Sequence, residues 1–137
     1  MPLFGRKKEE KRGHRVVVLA IDGTPYSLLR KLMEEGVMPA YQRLTGNGTF
    51  TRMYSTQPTV SSVAWSAFMC GKDPGGTNIF GFTDLFPNSY QLDIPDSTRI
   101  KSKLVWEHLT DMGKRSVTMG VPISYPTRDI NGVMVGC

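Results

Sequence analysis

Asp22 closes the apolar run Val16–Ile21 in the stretch HRVVVLAIDGT, and Ser61 and Ser62 open an apolar stretch in QPTVSSVAWSAFMCG. A carboxylate at the end of a buried strand is costly unless it is paired, hydrogen-bonded or bound to a cation. A hydroxyl at a helix N-terminus lies beside free N–H groups that receive anionic oxygens. In a parallel α/β sheet both positions fall on one rim, outside the carboxyl ends of the strands, where ligands bind. Acid, hydroxyl and anion cradle together are the parts of metal-assisted phosphoryl transfer. Each residue also has a plainer role. Asp22 can cap its own turn through its side-chain oxygen, serine is a favoured helix cap, and Thr59 and Ser62 compete with Ser61 for the place of the attacking hydroxyl.

The elements that must hold these groups follow from pattern. Val16–Ile21 is continuous, apolar and rich in β-branched residues, as expected of a central parallel strand buried on both faces. Thr24-Pro25 predicts a helix start, with proline at the first helical position, and Tyr26–Glu35 carries Leu28, Leu29 and Leu32 on one face before Gly36. A short helix through Tyr41 and Leu44 stops at Gly46-Asn47-Gly48, and Thr49–Thr56 alternates as a second strand. Val63–Cys70 is apolar nearly all round and predicts a helix beneath the rim, with Trp65, Phe68 and Met69 in the core rather than forming a base-stacking platform. The stretch Thr77–Thr98 has no clear period and predicts a substrate-side loop or lid. Lys103–Met112 predicts an amphipathic helix stopped by Gly113, Ser116–Val121 a strand halted by Pro122, and Ile130–Val135 a further apolar element. Strands alternating with helices predict the α/β class.

Composition narrows the function classes. The chain has 137 residues, 39% hydrophobic and 21% charged, which suits one soluble globular domain. No apolar run has the length of a transmembrane segment, and the N-terminus lacks the apolar stretch of a signal peptide. Cys70 and Cys137 make no disulfide framework, so a cytoplasmic protein with free thiols is expected. The net charge of +5 is uneven: six basic and two acidic residues give residues 1–15 a charge of +4, leaving +1 for the rest. Residues 1–13 are therefore expected to be a basic flexible leader ahead of a domain over 14–137. With only Phe4 among its charges, that leader argues against specific nucleic-acid binding. Lys72 is expected to be solvated.

Four stretches, in order from about Arg15 to the C-terminus, carry a resemblance: VVVLAIDGTPYSLLRKLMEEGVMPAYQRL, PTVSSVAWSAFMCGKDPG, KLVWEHLTDMGKRSVTMGVPISYP and NGVMVGC. They resemble the front portion of the catalytic domain of the type I phosphodiesterase/nucleotide pyrophosphatase family, in the alkaline phosphatase superfamily. The resemblance implies an alkaline-phosphatase-like, mostly parallel sheet with flanking helices. It also implies Asp22 as a metal ligand and Ser61 as the nucleophile, itself held by metal. Two divalent ions are implied, zinc first with magnesium or manganese as alternatives, acting on a small-molecule phosphate ester.

The chain departs from the family pattern in three places. Ala64 stands where nucleotide pyrophosphatase relatives carry an asparagine that donates to the phosphoryl oxygen. Gly76-Thr77-Asn78 stands where many read Lys-His-Gly. The later Asp and His ligands have no counterpart, since the two histidines are His14 and His108. The domain is accordingly expected to be incomplete, ending at Val135-Gly136-Cys137 within an apolar element, and to need a partner chain or to self-associate. The rival expectation is a non-catalytic α/β fragment that binds phosphate or serves as an interaction piece, with Asp22 and Ser61 only capping and turning.

Overall fold

Local chemistry sets the ends of most helices. The computed structural model describes residues 14–137, so the basic leader lies outside the described residues. Helix α1 (Tyr26–Glu34) starts after an extended Pro25, which is the cap residue and not the first helical one. It ends where Gly36 takes φ 72°, with Val37 N–H bonded to Leu32 O at 2.9 Å and Gly36 N–H to Met33 O at 3.0 Å. That paired return is the Schellman geometry, which satisfies carbonyls the helix leaves open. Helix α2 (Pro39–Gly46) begins with proline in its first turn.

Helix α3 (Ser61–Cys70) stops at left-handed Gly71. The four-residue α4 (Pro74–Thr77) is capped by Asp73, whose carboxylate accepts from Gly76 N–H at 2.8 Å. Helix α5 (Val105–Asp111) is opened by Glu107, whose carboxylate accepts from the Leu104 N–H at 2.7 Å. It is closed by Gly113 at φ 67°, with Lys114 N–H on Leu109 O at 2.8 Å.

The core forms where these elements meet. Val63 and Met69 of α3, Ile79, Ile100, Leu104 and Trp106 are buried together, with Val60, Val121, Ile123, Ile130 and Met134 packed against them. Strands β3 (Ser116–Val121) and β4 (Gly132–Gly136) pair in parallel, Ser116 opposite Gly132 and Met119 opposite Val135. The register slips between Met119 and Val121, where Gly120 takes φ 61°, as expected of a glycine-accommodated bulge. Gly132 is required for the pairing: at its φ of 153° a Cβ would lie 1.7 Å from the Ser116 carbonyl oxygen.

The wide parallel sheet is not formed among the described residues. Val16–Ile21 and Thr49–Thr56 carry no strand and no ladder partner, and Val16 and Leu19 are 85% and 89% exposed. This corrects the expected buried strands. β-propensity is a fit to a pleated neighbour, and a run without a partner to bond has no strand to join. The chain is thus a mixture of helices and small strands, consistent with α/β organisation, with β3–β4 as its parallel part.

The stretch Thr77–Thr98 also differs from the structureless loop expected. After α4 it holds a two-residue antiparallel pair, β1 (Asp84–Leu85) with β2 (Leu92–Asp93), and a 3-10 turn over Ser97–Arg99. Arg99 ties this hairpin down, 2.7 Å from Asp93 and 3.9 Å from Asp84.

Candidate active site

Asp22 sits in the turn after the apolar run, where Gly23 takes φ 64°. Its backbone carbonyl receives Thr24 Oγ1 at 3.4 Å, while its carboxylate faces another part of the chain. Ser61 Oγ donates to Asp22 Oδ2 at 3.0 Å, across 39 positions of sequence. The two residues singled out by type and spacing are therefore side by side.

Ser61 is not a cap. The cap residue of α3 is Val60, in extended conformation and without a side-chain bond. Ser61 is the first helical residue, with its hydroxyl on Asp22 instead. Val63 and Ala64 N–H groups both reach Val60 O, at 3.1 and 3.0 Å. The amides of Ser61 and Ser62 precede the first intrahelical bond and point outward, as the leading N–H groups of any helix do.

Burial distinguishes the two serines, while Thr59 is exposed. Ser62 is 7% exposed, and its Oγ donates to Gly81 O at 2.7 Å. That hydroxyl is committed to holding the Gly81 loop against α3. Ser61 is half-buried and Asp22 exposed, so a reagent can reach the Ser61 oxygen. Of the three side chains expected in the core here, Met69 is fully buried, whereas Phe68 is 48% exposed, which corrects its core placement, and meets the part-buried Trp65 edge to face at 5.7 Å. Lys72 is exposed, and Asn78, at the altered turn, takes φ 66° and donates to Arg99 O.

The oxygen pair fits part of a cation site. A carboxylate and a hydroxyl 3.0 Å apart can share one divalent ion, and hard oxygen donors suit zinc, magnesium or manganese. Two ions do not fit these residues alone. Among the described residues no three His, Cys, Asp or Glu side chains converge.

Ser61 and Ser62 also line a cleft of about 320 Å³. Its other walls come from Phe82, Ile94 and the Pro122–Tyr125 turn. Sequence reasoning missed these residues. Their signal was faint: aromatic and branched side chains inside stretches without a period, which nothing local assigns to a common wall.

The sequence model for type I phosphodiesterase / nucleotide pyrophosphatase matches residues 16–135, from the apolar run before Asp22 to β4. The chain belongs to that family. Asp22 and Ser61 both lie within the matched span, as do every helix and nearly all of β4. No curated protein and no solved structure matches the chain. Type I phosphodiesterases of this family act on phosphate esters of small molecules and are generally metal-dependent. Among the described residues of this member, no helix is long and apolar enough to cross a membrane.

Proposed function

We propose that this chain carries the nucleophilic half of a phosphodiester or phosphate-ester hydrolase, with Ser61 as the attacking residue. The observation that supports it is the 3.0 Å hydrogen bond from Ser61 Oγ to Asp22 Oδ2 at the start of α3. The carboxylate orients the serine oxygen and is placed to accept its proton as the oxygen attacks phosphorus in line. The Ser61–phosphorus bond forms, the ester phosphorus–oxygen bond breaks, and the leaving alcohol departs with that electron pair and gains a proton. The outward amides at the start of α3 receive the equatorial oxygens, whose charge grows in the transition state. Water then hydrolyses the bond between Ser61 and phosphorus, releasing phosphate from a monoester substrate or a phosphomonoester from a diester, and restores Ser61.

A divalent cation shared by Asp22 and Ser61, with zinc first among zinc, magnesium and manganese, supplies Lewis-acid stabilisation of negative charge when bound. The remaining ligands of the family's two-ion set are expected from residues beyond this pair, so turnover by residues 1–137 alone is expected to be low. A reducing compartment, the cytoplasm, suits the free thiols of Cys70 and Cys137. The exposed run Val16–Ile21 favours a second reading, an interaction piece that binds phosphate without hydrolysis.

Trapping separates the two. After incubation with an aryl phosphodiester and zinc, peptide mass spectrometry is expected to find on Ser61 a phosphoryl group still carrying the ester group that did not leave, and none in Ser61→Ala. That adduct on Ser62 or Thr59, or on no residue while the diester still binds, counts against Ser61 as nucleophile.

A further inference from the structure

We propose that the cavity between the β1–β2 hairpin and residues 98–101 binds a small zwitterion, an amino acid with an apolar side chain, at a site separate from Ser61. The cavity has a volume of about 380 Å³ and shares no lining residue with the cleft at Ser61. Small-molecule sites span roughly 300–1,000 Å³, so a single amino acid has room. Asp84, Leu85 and Pro87 line it from the hairpin, and Arg99 and Lys101 from the segment that follows the 3-10 turn.

These walls carry charges of both signs, incompletely matched. Arg99 Nη2 is 2.7 Å from Asp93 Oδ2, so the guanidinium already has one tight partner. Asp84 Oδ2 stands 3.9 Å from the same nitrogen, too long for a hydrogen bond. Asp84 Oδ1 accepts the neighbouring Leu85 N–H at 2.8 Å, which leaves Oδ2 for a ligand. Among the described residues Lys101 joins no ion pair, and Arg99 Nε is buried without an acceptor.

The hairpin thus offers a carboxylate with acceptor capacity, and the other wall an ammonium and a guanidinium with donors to spare. A simple anion would meet Asp84, and a simple cation would meet Lys101 and Arg99. A ligand with an ammonium for Asp84 and a carboxylate for Lys101 matches both walls, whereas like charges disfavour the singly charged forms. Leu85 and Pro87 supply apolar surface for an aliphatic side chain.

The walls are fastened before any ligand arrives. Asn78 Nδ2 donates to Arg99 O at 3.2 Å, and Lys101 N–H to Thr77 O at 3.1 Å, which ties the cationic wall to the end of α4. Phe86 N–H on Gln91 O, at 3.1 Å, and Ser89 N–H on Phe86 O, at 3.0 Å, close the turn that carries Pro87. Walls set in advance lower the ordering cost of binding.

Calorimetric titration of the whole chain with L-valine, isobutylamine and isovalerate tests this, the last two being valine without its carboxylate and without its amine. L-Valine is expected to bind roughly tenfold or more tightly than either singly charged analogue. Asp84→Asn is expected to remove its advantage over isovalerate, and Lys101→Gln its advantage over isobutylamine. Both side chains are exposed, so neither change touches the core. None of the probes carries phosphorus, so the outcome does not depend on the role of Ser61. Equal affinity for the three probes, no saturable binding of L-valine, or an advantage that survives either substitution overturns the site.

Discussion

Two neighbouring serines in one helical turn have different fates, and the difference is measurable. Ser61 Oγ bonds an exposed carboxylate, so Ser61→Ala is expected to change stability by no more than about 0.5 kcal/mol while removing the oxygen proposed to accept the phosphoryl group. Ser62→Ala leaves the Gly81 carbonyl without its buried partner and is expected to cost about 1–3 kcal/mol. Denaturant melts of both variants, set beside the trapping experiment on Ser61, check the assignment; equal destabilisation of the two would count against it. The thiols divide in the same way. Burial pushes the Cys70 thiol up, with Glu107 adding to the rise and Arg128 opposing it, whereas Cys137 is exposed. Because the thiolate is the nucleophile, a thiol reagent at neutral pH is expected to label Cys137 rapidly and Cys70 only as the chain unfolds, which mass spectrometry resolves.

At the scale of elements, one strand pairing and one turn each depend on a single residue. Gly132 brings β4 against β3 with no space for a Cβ, which would stand 1.7 Å from the Ser116 carbonyl oxygen. Gly132→Ala is expected to force the strands apart and cost about 1–3 kcal/mol or more, read as a lowered denaturation midpoint. The 3-10 turn beside the cleft depends on Asp96. The Thr98 hydroxyl bond, first among the causes, holds the Asp96 carboxyl below its usual range, aided by backbone N–H bonds and nearby Arg99 and opposed by slight burial. A pKa lowered by folding contributes stability above the unfolded value, near 3.9, that is lost as pH falls through the folded value. Thr98→Val raises the folded value toward the unfolded one. The variant is therefore expected to be less stable at neutral pH, with a weaker fall in stability on acidification below about pH 4. Circular dichroism melts across this range test the sign.

For the molecule as a whole, the largest unbalanced feature is the exposed run Val16–Ile21, with Val17 at 80% and Leu19 at 89% exposure. An unpaired, apolar extended segment is a template for association. Residues 1–137 are expected to associate with rising concentration on size exclusion and to bind a hydrophobic dye. Val17→Lys and Leu19→Lys are expected to reduce both effects, since lysine on an open edge discourages pairing. A sharp monomer peak without dye binding would mean that this run is protected in solution and that no partner surface is needed.

Sequence alone determined the parts whose causes are local. Gly36 and Gly113 end their helices because a left-handed residue is needed there. Pro39 begins a helix because its missing N–H goes unused in the first turn, and Ser116–Val121 pairs as its β-branched pattern proposes. The order of Asp22 and the Ser61 segment carried the family assignment. Tertiary structure alone decided the rest. Whether Val16–Ile21 becomes a strand depends on a neighbour to accept its hydrogen bonds, which no pattern within the run supplies. Ser61 and not Ser62 faces Asp22 because the fold buries one hydroxyl against Gly81 and leaves the other on the rim. The cleft joins Phe82, Ile94 and Tyr125 from separate turns, so its existence depends on distances in space that residue type and spacing along the chain do not encode.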